Sequence, residues 1–471
     1  MTKGARLRVR RRAVGLACAV LCPLLLALAC KRDAKVSEEE PATETPDKAG
    51  LLEDGSAPPA PEEPGPPPRC QSAPGAKSFR VRGRGDDVDS AESGVDQPFA
   101  VEVGGAVSVA SGFAVGALRH DAGRTEALVA VLDPRAERGR IASLGRVHGG
   151  AEPPRLVARG DRLFLAVVDS DASGPTLRLA RLDVAGSETN PSWGVEVQQG
   201  RDESSGFSVA VGSGDRGLLV WDDHDSRKGH SVVRMLSFRT EAWGEASSPK
   251  IVTPDSDDAE APLLAARPGG YWLAWIARTP ATAERESPDP STENAREESA
   301  RVLDGGSGRL RIAPLDERGD PIGEPRFVTS PRSQVVVFDL ASSPGGGARL
   351  SWRDESRAPG AAGGPLSVAL VAPDGTIQEH PVEVAGLDAG FPALLPDDSL
   401  GKGAGHWLAA YGTQGATLLG IVTDAEVREL RAEPALLAKQ ALAAGHGRIL
   451  VGQPRGVDLL LETAICSSEV P

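Results

Sequence analysis

A short apolar segment, such as GLLVWDDHD or YWLAWIAR, recurs along most of the chain and is often preceded by glycine. Seven such segments can be aligned on Phe113, Leu165, Leu219, Leu273, Leu350, Leu408 and Leu450. The intervals between these residues are 52, 54, 54, 77, 58 and 42. Self-similarity at an interval of about 20–50 residues is typical of repeat architectures, so one structural unit must be copied through the fold.

A second apolar segment, such as TLRLARLD or PLSVALVAPD, follows each of the first ones. Many of these end at an aspartate with a glycine close behind, as at Asp316 and Gly319 or at Asp374 and Gly375. Such pairs favour tight reversals, because aspartate bonds to nearby backbone and glycine accepts a positive φ. Only residues 432–444 show a pattern compatible with a helix. The chain is therefore predicted to be all-β.

A four-stranded unit of about 53 residues that is repeated seven times predicts a β-propeller. One such sheet cannot bury both of its faces alone, whereas a closed ring of sheets can. The count of seven treats the interval of 77 residues as one blade with an insertion. Six or eight blades are alternatives, as are tandem β-sandwiches, which need a longer repeat of about 100 residues. The repeat length is more similar to that of kelch-type repeats than to that of tryptophan-aspartate repeats, but the signatures of both families are missing.

The first 29 residues contain six Lys and Arg residues, no acidic residue and an apolar run over 13–29. This run is short for a membrane-spanning helix and has the flanks of a secretory signal. It ends ALAC, which resembles a bacterial lipobox, the motif whose cysteine is acylated. The resemblance implies a lipoprotein signal peptide over 1–29, lipidation of Cys30 and membrane attachment through that lipid. An uncleaved anchor or ordinary signal cleavage nearby is the alternative.

Lys31 follows the cysteine, where retention in the inner membrane usually has aspartate. The expected location is therefore the cell envelope at the outer membrane, with the side of that membrane left open. The overall resemblance is to secreted bacterial propeller lipoproteins as a class.

Differences in amino-acid composition divide the rest of the chain into polar segments and a propeller domain. Residues 30–77 are rich in Pro and Glu and have almost no large apolar residue, so they are predicted to form a disordered tether; an interaction tail is the alternative. Residues 279–307 are similarly polar and are predicted to be a disordered insertion in a surface loop. The propeller domain is then expected over 78–471.

Five cysteines are present, and two of them, Cys18 and Cys22, leave with the predicted signal. Cys30 takes the lipid, so Cys70 and Cys466 remain in a compartment where disulfides persist. We therefore predict a bond between these two residues.

The last repeat unit, from Arg448, shows only two strands in the sequence. Segments that start near Ser78 and Phe99 are expected to complete it. Such pairing would close the ring and bring Cys70 close to Cys466.

Few patterns in the sequence indicate chemistry. The net charge is −14, which disfavours binding to nucleic acid, because phosphate recognition needs a basic face. Glycine-rich phosphate loops, HExxH, CxxC and GxSxG are all absent from the sequence, so no catalytic residue, metal ligand or cofactor is assigned.

One group of polar residues occupies equivalent positions in four repeats, where the first apolar segment ends. Its aspartates are Asp121, Asp169, Asp171, Asp222, Asp223, Asp225 and Asp354. Equivalent positions in a ring share one height, so we expect an acidic rim that can hold a cation or a basic ligand. Solvated turn residues are the alternative.

Two classes of function remain open. The favoured one is a non-catalytic binding or assembly scaffold of the envelope, with a protein or glycan partner. The alternative is a propeller hydrolase or lyase that acts on glycans or peptides, since propeller active sites come from distant blades and leave weak sequence traces.

Overall fold

The computed structural model describes residues 69–73, 75, 77–83, 101–121, 124–148, 151–171, 174–186, 190–198, 206–278, 308–357, 366–378, 382–384, 391–397, 405–412, 415–422, 427–429, 431–432 and 439–467. The predicted signal peptide at 1–29, Cys30, most of the predicted tether at 30–77 and the predicted insertion at 279–307 lie outside these ranges. No helix within them is long and apolar enough to cross a membrane.

Apart from a 3-10 helix at Glu355–Arg357, the described elements are strands, which form seven sheets. Six sheets, named blades 1–6, contain four antiparallel strands in chain order. Blade 1 comprises Val101–Val109, Gly112–Asp121, Arg124–Leu132 and Gly139–Val147. Blade 2 comprises Arg155–Arg159, Arg162–Asp171, Gly174–Asp183 and Ser192–Gln198. Blade 3 comprises Phe207–Val211, Arg216–Asp225, His230–Arg239 and Lys250–Ile251. Blade 4 comprises Asp258–Arg267, Gly270–Arg278, Arg309–Asp316 and Arg326–Phe327. Blade 5 comprises Val335–Ser342, Ala348–Asp354, Leu366–Val371 and Val382–Val384. Blade 6 comprises Phe391–Pro396, His406–Gly412, Gly415–Val422 and Val427–Glu429.

The blades form a closed ring. The first strand of each blade contacts the first strand of the next, and that of blade 7 contacts that of blade 1. In blade 4 the second strand, Gly270–Arg278, pairs directly with Arg309–Asp316, so the long interval in the sequence belongs to one blade. The all-β fold and the seven-bladed propeller are therefore confirmed, and the alternatives of six blades, eight blades and tandem sandwiches are excluded.

Blade 7 is built from both ends of the chain. Its consecutive strands are Gln440–Gly445, Arg448–Arg455 and Asp458–Ser467. Arg69–Ser72 and Phe79–Val81 both pair antiparallel with Asp458–Ser467 and occupy its outer edge. A short strand, Arg431–Ala432, pairs in parallel with Arg69 and Cys70.

Two details of the predicted closure are wrong. The segment near Phe99 supplies Val101–Val109, the first strand of blade 1, instead of completing the last blade. The strand that was missing from the last unit is Gln440–Gly445, which overlaps the end of the segment compatible with a helix at 432–444. Alanine-rich sequence allows either structure, and pairing with Arg448–Arg455 decides in favour of the strand.

The predicted disulfide is present. Cys70 and Cys466 are direct partners in the antiparallel pairing of Arg69–Ser72 with Asp458–Ser467, and their Cα atoms lie 4.1 Å apart. The bond joins residues that are 396 positions apart in the sequence, so it fastens the N-terminal strand to the last blade.

The core lies between the blades. Each hydrophobic cluster draws its side chains from two neighbouring blades, including the pair formed by blades 7 and 1. In Gly270–Arg278 successive residues alternate between clusters: Trp272 packs toward blade 5 and Trp275 toward blade 3, and both are fully buried. Because side chains alternate across a strand, a strand that is covered on both faces must be apolar at every position. This explains the continuous apolar segments of the repeat.

Candidate functional site

The predicted rim aspartates lie at the ends of the second strands of blades 1, 2, 3 and 5. Asp121, Asp171, Asp225 and Asp354 are the last residues of these strands, and the other three lie two or three residues earlier. The second strands of a propeller run in the same direction, so these positions share one end of the ring, which we call the rim end. The opposite end, where first strands turn into second strands, we call the turn end.

Two rim carboxylates hold the connections that lead into their own blades. Oδ1 of Asp169 accepts the backbone N–H of His148 at 2.7 Å and lies 2.9 Å from Nδ1 of the same residue. Oδ1 of Asp354 accepts the backbone N–H groups of Gln334 at 2.8 Å and Ser356 at 3.0 Å. His148 and Gln334 both lie in the segments that cross from one blade to the next. These carboxylates therefore fix inter-blade connections.

Asp222 is buried and reaches the neighbouring blade. Its Oδ2 accepts the backbone N–H of Ala261 at 2.9 Å. Ala261 lies at a β-bulge in the first strand of blade 4 and has a φ of 51°. At a bulge, one backbone group is left out of the hydrogen-bond ladder of its own sheet. That backbone group needs a hydrogen-bond partner from elsewhere. Asp222 supplies that partner and joins blade 3 to blade 4.

The remaining rim aspartates make local contacts or cannot be assigned. Oδ2 of Asp223 pairs with Nε of Arg234 at 2.7 Å, and Oδ1 of Asp225 accepts the backbone N–H of Arg227 at 2.9 Å. The backbone of Asp121 lies opposite that of Arg124 in the strand pairing of its hairpin. The side chain of Asp171 is outside the described part of the structure. Within that described part, no three His, Cys, Asp or Glu side chains form a group suited to a metal ion.

The hydrogen bonds of Asp354 should make stability depend on pH. Burial tends to raise its pKa, but hydrogen bonds from Ser356, Gln334 and Ser333 together hold that pKa below the ordinary aspartate value. A depressed folded-state pKa gives stability that is present above the unfolded-state pKa and is lost as the pH falls through the folded-state pKa.

The native chain should lose unfolding free energy as the pH falls below about 4. We expect the Asp354→Asn variant to lose less over the same pH range, because it lacks the carboxylate that becomes protonated. Urea unfolding at a series of pH values measures this difference. Asp255→Asn is the control, because Asp255 is 87% exposed. Equal pH slopes for the native chain and the Asp354 variant would contradict the assignment.

Two carboxylates that sequence reasoning missed have a similar structural role. Asp257 accepts hydrogen bonds from Nη1 of Arg311 at 2.6 and 2.7 Å and from Nε1 of Trp275 at 3.1 Å. Oδ2 of Asp339, in the first strand of blade 5, accepts the backbone N–H of Leu394 in blade 6 at 2.6 Å. Burial raises the pKa of Asp339. Neither residue occupies a repeated position, so the repeat pattern gave no signal for them.

At the turn end, residues from four consecutive blades line an open cavity of about 540 Å³, which we call the four-blade cavity. Its lining includes Ser213, Arg267, Pro268, Ser342, Pro344 and Pro396. His406 of blade 6 also lines it, and its Nδ1 accepts a hydrogen bond from Nη1 of the fully buried Arg349. A volume within about 300–1,000 Å³ is usual for small-molecule sites.

Arg267 is the principal cation of the four-blade cavity. Its guanidinium lies over the ring of Trp272, 4.6 Å from the centroid, and Nη1 donates to the carbonyl of Pro373 at 3.1 Å. Burial lowers the pKa of Arg267 from its ordinary value. In the sequence this residue is a single arginine before a Pro-Gly-Gly turn, which does not distinguish it from surface arginines.

Sheet topology defines the chain as a seven-bladed β-propeller. No family model matches its sequence, and no curated protein matches it. The chain is similar in structure to hydrazine synthase from Kuenenia stuttgartiensis, with a TM-score of 0.44, 12% identity and coverage of 80% of this chain and 98% of that one.

Two further solved structures are similar to this chain, with comparable TM-scores and identities. The β-propeller domain of the Trilobed protease from Pyrococcus furiosus has a TM-score of 0.43, 10% identity and coverage of 78% and 93%. The α-L-arabinofuranosidase Arb93A from Fusarium graminearum has a TM-score of 0.41, 10% identity and coverage of 67% and 93%. At such identities the similarity concerns the fold alone.

Proposed function

We propose that this chain is a lipid-anchored protein of the bacterial cell envelope, held at the outer membrane through Cys30, whose propeller is a non-catalytic binding or assembly scaffold. Its partner is a protein or glycan of the envelope. Residues 30–68 act as the tether that separates the propeller from the membrane surface, since Arg69–Ser72, at the end of the predicted range 30–77, is a strand of blade 7.

The non-catalytic role is supported by the groups that the rim carboxylates bind. Asp169, Asp222 and Asp354 accept backbone N–H groups of connecting segments or of the next blade. A general acid or a metal ligand needs oxygens directed at a substrate or an ion. Carboxylates that hold the ring together instead favour a rigid scaffold.

The attachment of the N-terminus supports the anchoring role. The chain enters the propeller at Arg69–Ser72, directly after the proposed tether, and Cys70 is bonded to Cys466. Tension applied through a lipid at Cys30 would reach the ring at this covalent link. The N-terminal strand therefore stays in place when the protein is pulled from its anchor.

Replacing the lipidated cysteine tests the anchor. Cys30→Ala should move the protein from the membrane fraction to the soluble fraction, because acyl chains supply the attachment. Fractionation with immunoblotting, together with incorporation of a labelled fatty acid, measures both effects. Cys22→Ala is the matched control, since Cys22 lies in the apolar run that precedes Cys30 and its replacement should leave labelling unchanged. A Cys30 variant that stays in membranes, with a native chain that takes up no label, would refute the anchor.

A further inference from the structure

The interface between blades 5 and 6, which we call the 5–6 seam, is polar where the other interfaces are apolar. Every other hydrophobic cluster of the described structure takes buried side chains from the second strands of both its blades. The cluster of the 5–6 seam takes none from Ala348–Asp354, the second strand of blade 5. Leu350 of this strand packs against blade 4, so its neighbours Arg349 and Ser351 face blade 6, and both are fully buried.

A histidine of blade 6 meets the buried arginine of blade 5. His406 faces blade 5, because Leu408 on the same face of its strand belongs to the cluster of the 5–6 seam. The Nδ1 atom of His406 accepts a hydrogen bond from Nη1 of Arg349, and His406 is only 3% exposed. A guanidinium has donors and no acceptor, so Nδ1 must be unprotonated and the imidazole neutral. The contact therefore exists in one protonation state of His406.

Protonation of His406 removes this hydrogen bond. An imidazolium carries a proton on both ring nitrogens, so Nδ1 would face an N–H group of Arg349 and two positive charges would be in contact. Burial makes their repulsion strong, because little water is present to screen it. His406 also lines the four-blade cavity, where Asp397, whose Oδ2 accepts the indole N–H of Trp407, supplies a carboxylate. A protonated ring is thus repelled within the seam and attracted toward the cavity.

Two other charged groups belong to the same surroundings. Arg267 of blade 4 lines the four-blade cavity and keeps its charge at any pH near neutrality. Asp339 of blade 5 lies in the 5–6 seam and accepts the backbone N–H of Leu394. Burial raises the pKa of Asp339. A carboxylate with a raised folded-state pKa adds stability as the pH falls, so Asp339 and His406 act on the seam with opposite signs.

We propose that the 5–6 seam is an acid-sensitive opening of the ring, in which His406 is the sensor and its contact with Arg349 is the closure. An ordinary histidine takes up a proton near about pH 6.5. Above that pH the contact holds blades 5 and 6 together. Below it the open seam binds the proton, and the four-blade cavity widens between the two blades. This inference goes beyond the scaffold role and does not depend on lipidation of Cys30.

Hydrogen–deuterium exchange of the full chain in detergent tests the seam, at about pH 7.5 and about pH 5.5, with each rate divided by the intrinsic exchange rate at that pH. Peptides that contain Ala348–Asp354 or His406–Gly412 should lose protection about tenfold at the lower pH. One proton bound only by the open form changes the opening equilibrium about tenfold for each pH unit below about 6.5. His406→Gln still accepts from Arg349 through its amide oxygen but does not titrate, so its protection should be the same at both values.

The interface between blades 7 and 1 is an internal control in the same experiment. The Nε2 atom of His446 lies 2.9 Å from the carbonyl oxygen of Val109 and 3.1 Å from that of Gly112. A carbonyl only accepts, so this nitrogen donates, and it still donates when the ring is protonated. Peptides that contain Gly112–Asp121 should therefore keep their protection at the lower pH.

The other possible results overturn the proposal. Unchanged protection of the 5–6 seam in the native chain does so, as does a gain in protection that Asp339→Asn abolishes. Equal losses at both interfaces indicate general acid unfolding, and an equal loss in His406→Gln excludes His406 as the sensor. If His406→Gln does not fold, Arg349→Met takes its place, because removal of the opposing cation should make the acid response smaller.

Discussion

Removing the bond between Cys70 and Cys466 should lower the free energy of unfolding by about 3–6 kcal/mol without changing β-sheet content. The bond closes a loop of 396 residues, so it strongly restricts the unfolded chain. The chain-entropy estimate for such a loop is about 6 kcal/mol, and residual compactness in the unfolded state reduces it. For a domain of this size the melting temperature should fall by about 4–7 °C.

Thermal unfolding followed by far-UV circular dichroism measures both quantities. The double variant Cys70→Ala/Cys466→Ala should melt at the same temperature as the reduced native chain, and a reductant should not change it further. A melting temperature that is insensitive to reduction would contradict the view that the bond restrains this long loop. Loss of β-sheet signal at low temperature would show instead that the bond is needed to form the blades.

Asp257→Ala is expected to cost about 3–5 kcal/mol of unfolding free energy, because it leaves a mostly buried cation without its partner. The side chain of Asp257 is 6% exposed and that of Arg311 is 14% exposed. The carboxylate also accepts the indole N–H of Trp275, which then loses its partner as well. Urea unfolding of the two proteins measures the difference.

Asp255→Ala is a control from the same connecting segment. Asp255 pairs with Lys228 at 2.5 Å but is 87% exposed, so its removal should cost less than about 1 kcal/mol. If Asp257→Ala and Asp255→Ala lowered the unfolding free energy by similar amounts, burial would not explain the stability that the Asp257 contact contributes. A combined Asp257→Ala/Arg311→Met variant should recover part of the lost stability, because it removes the unpaired charge as well.

The fold could be predicted because the second strand of each blade is recognisable in the sequence. Second strands such as Gly270–Arg278 are covered on both faces by neighbouring blades, so they are apolar throughout and stand out in the sequence. Two first strands do not stand out in this way, since Val101–Val109 carries a Gly-Gly bulge and Gln440–Gly445 is rich in alanine. The sequence pattern therefore places the segment near Phe99 in blade 7, whereas it forms the first strand of blade 1.

The candidate sites were harder to predict than the fold. Repetition located the rim aspartates, but the sequence does not show which backbone N–H each one accepts, as Asp222 does from Ala261 in another blade. Arg267 has no repeated counterpart, and its significance depends on residues from four blades. Contacts between distant segments thus decide the role of each side chain, whereas the strand pattern is local.

The pairing of Arg69–Ser72 with Asp458–Ser467 also sets the order in which the protein can fold. Synthesis and export deliver Arg69–Ser72 before its partner strand, which emerges only after the strands of blades 1–6. Blades 1–6 can form from strand pairings within about 50 residues, while blade 7 is completed by the most distant strand pairing among the described residues. Until then Asp458–Ser467 has an open edge, which is where a strand from a second molecule would pair and produce a swapped or aggregated form.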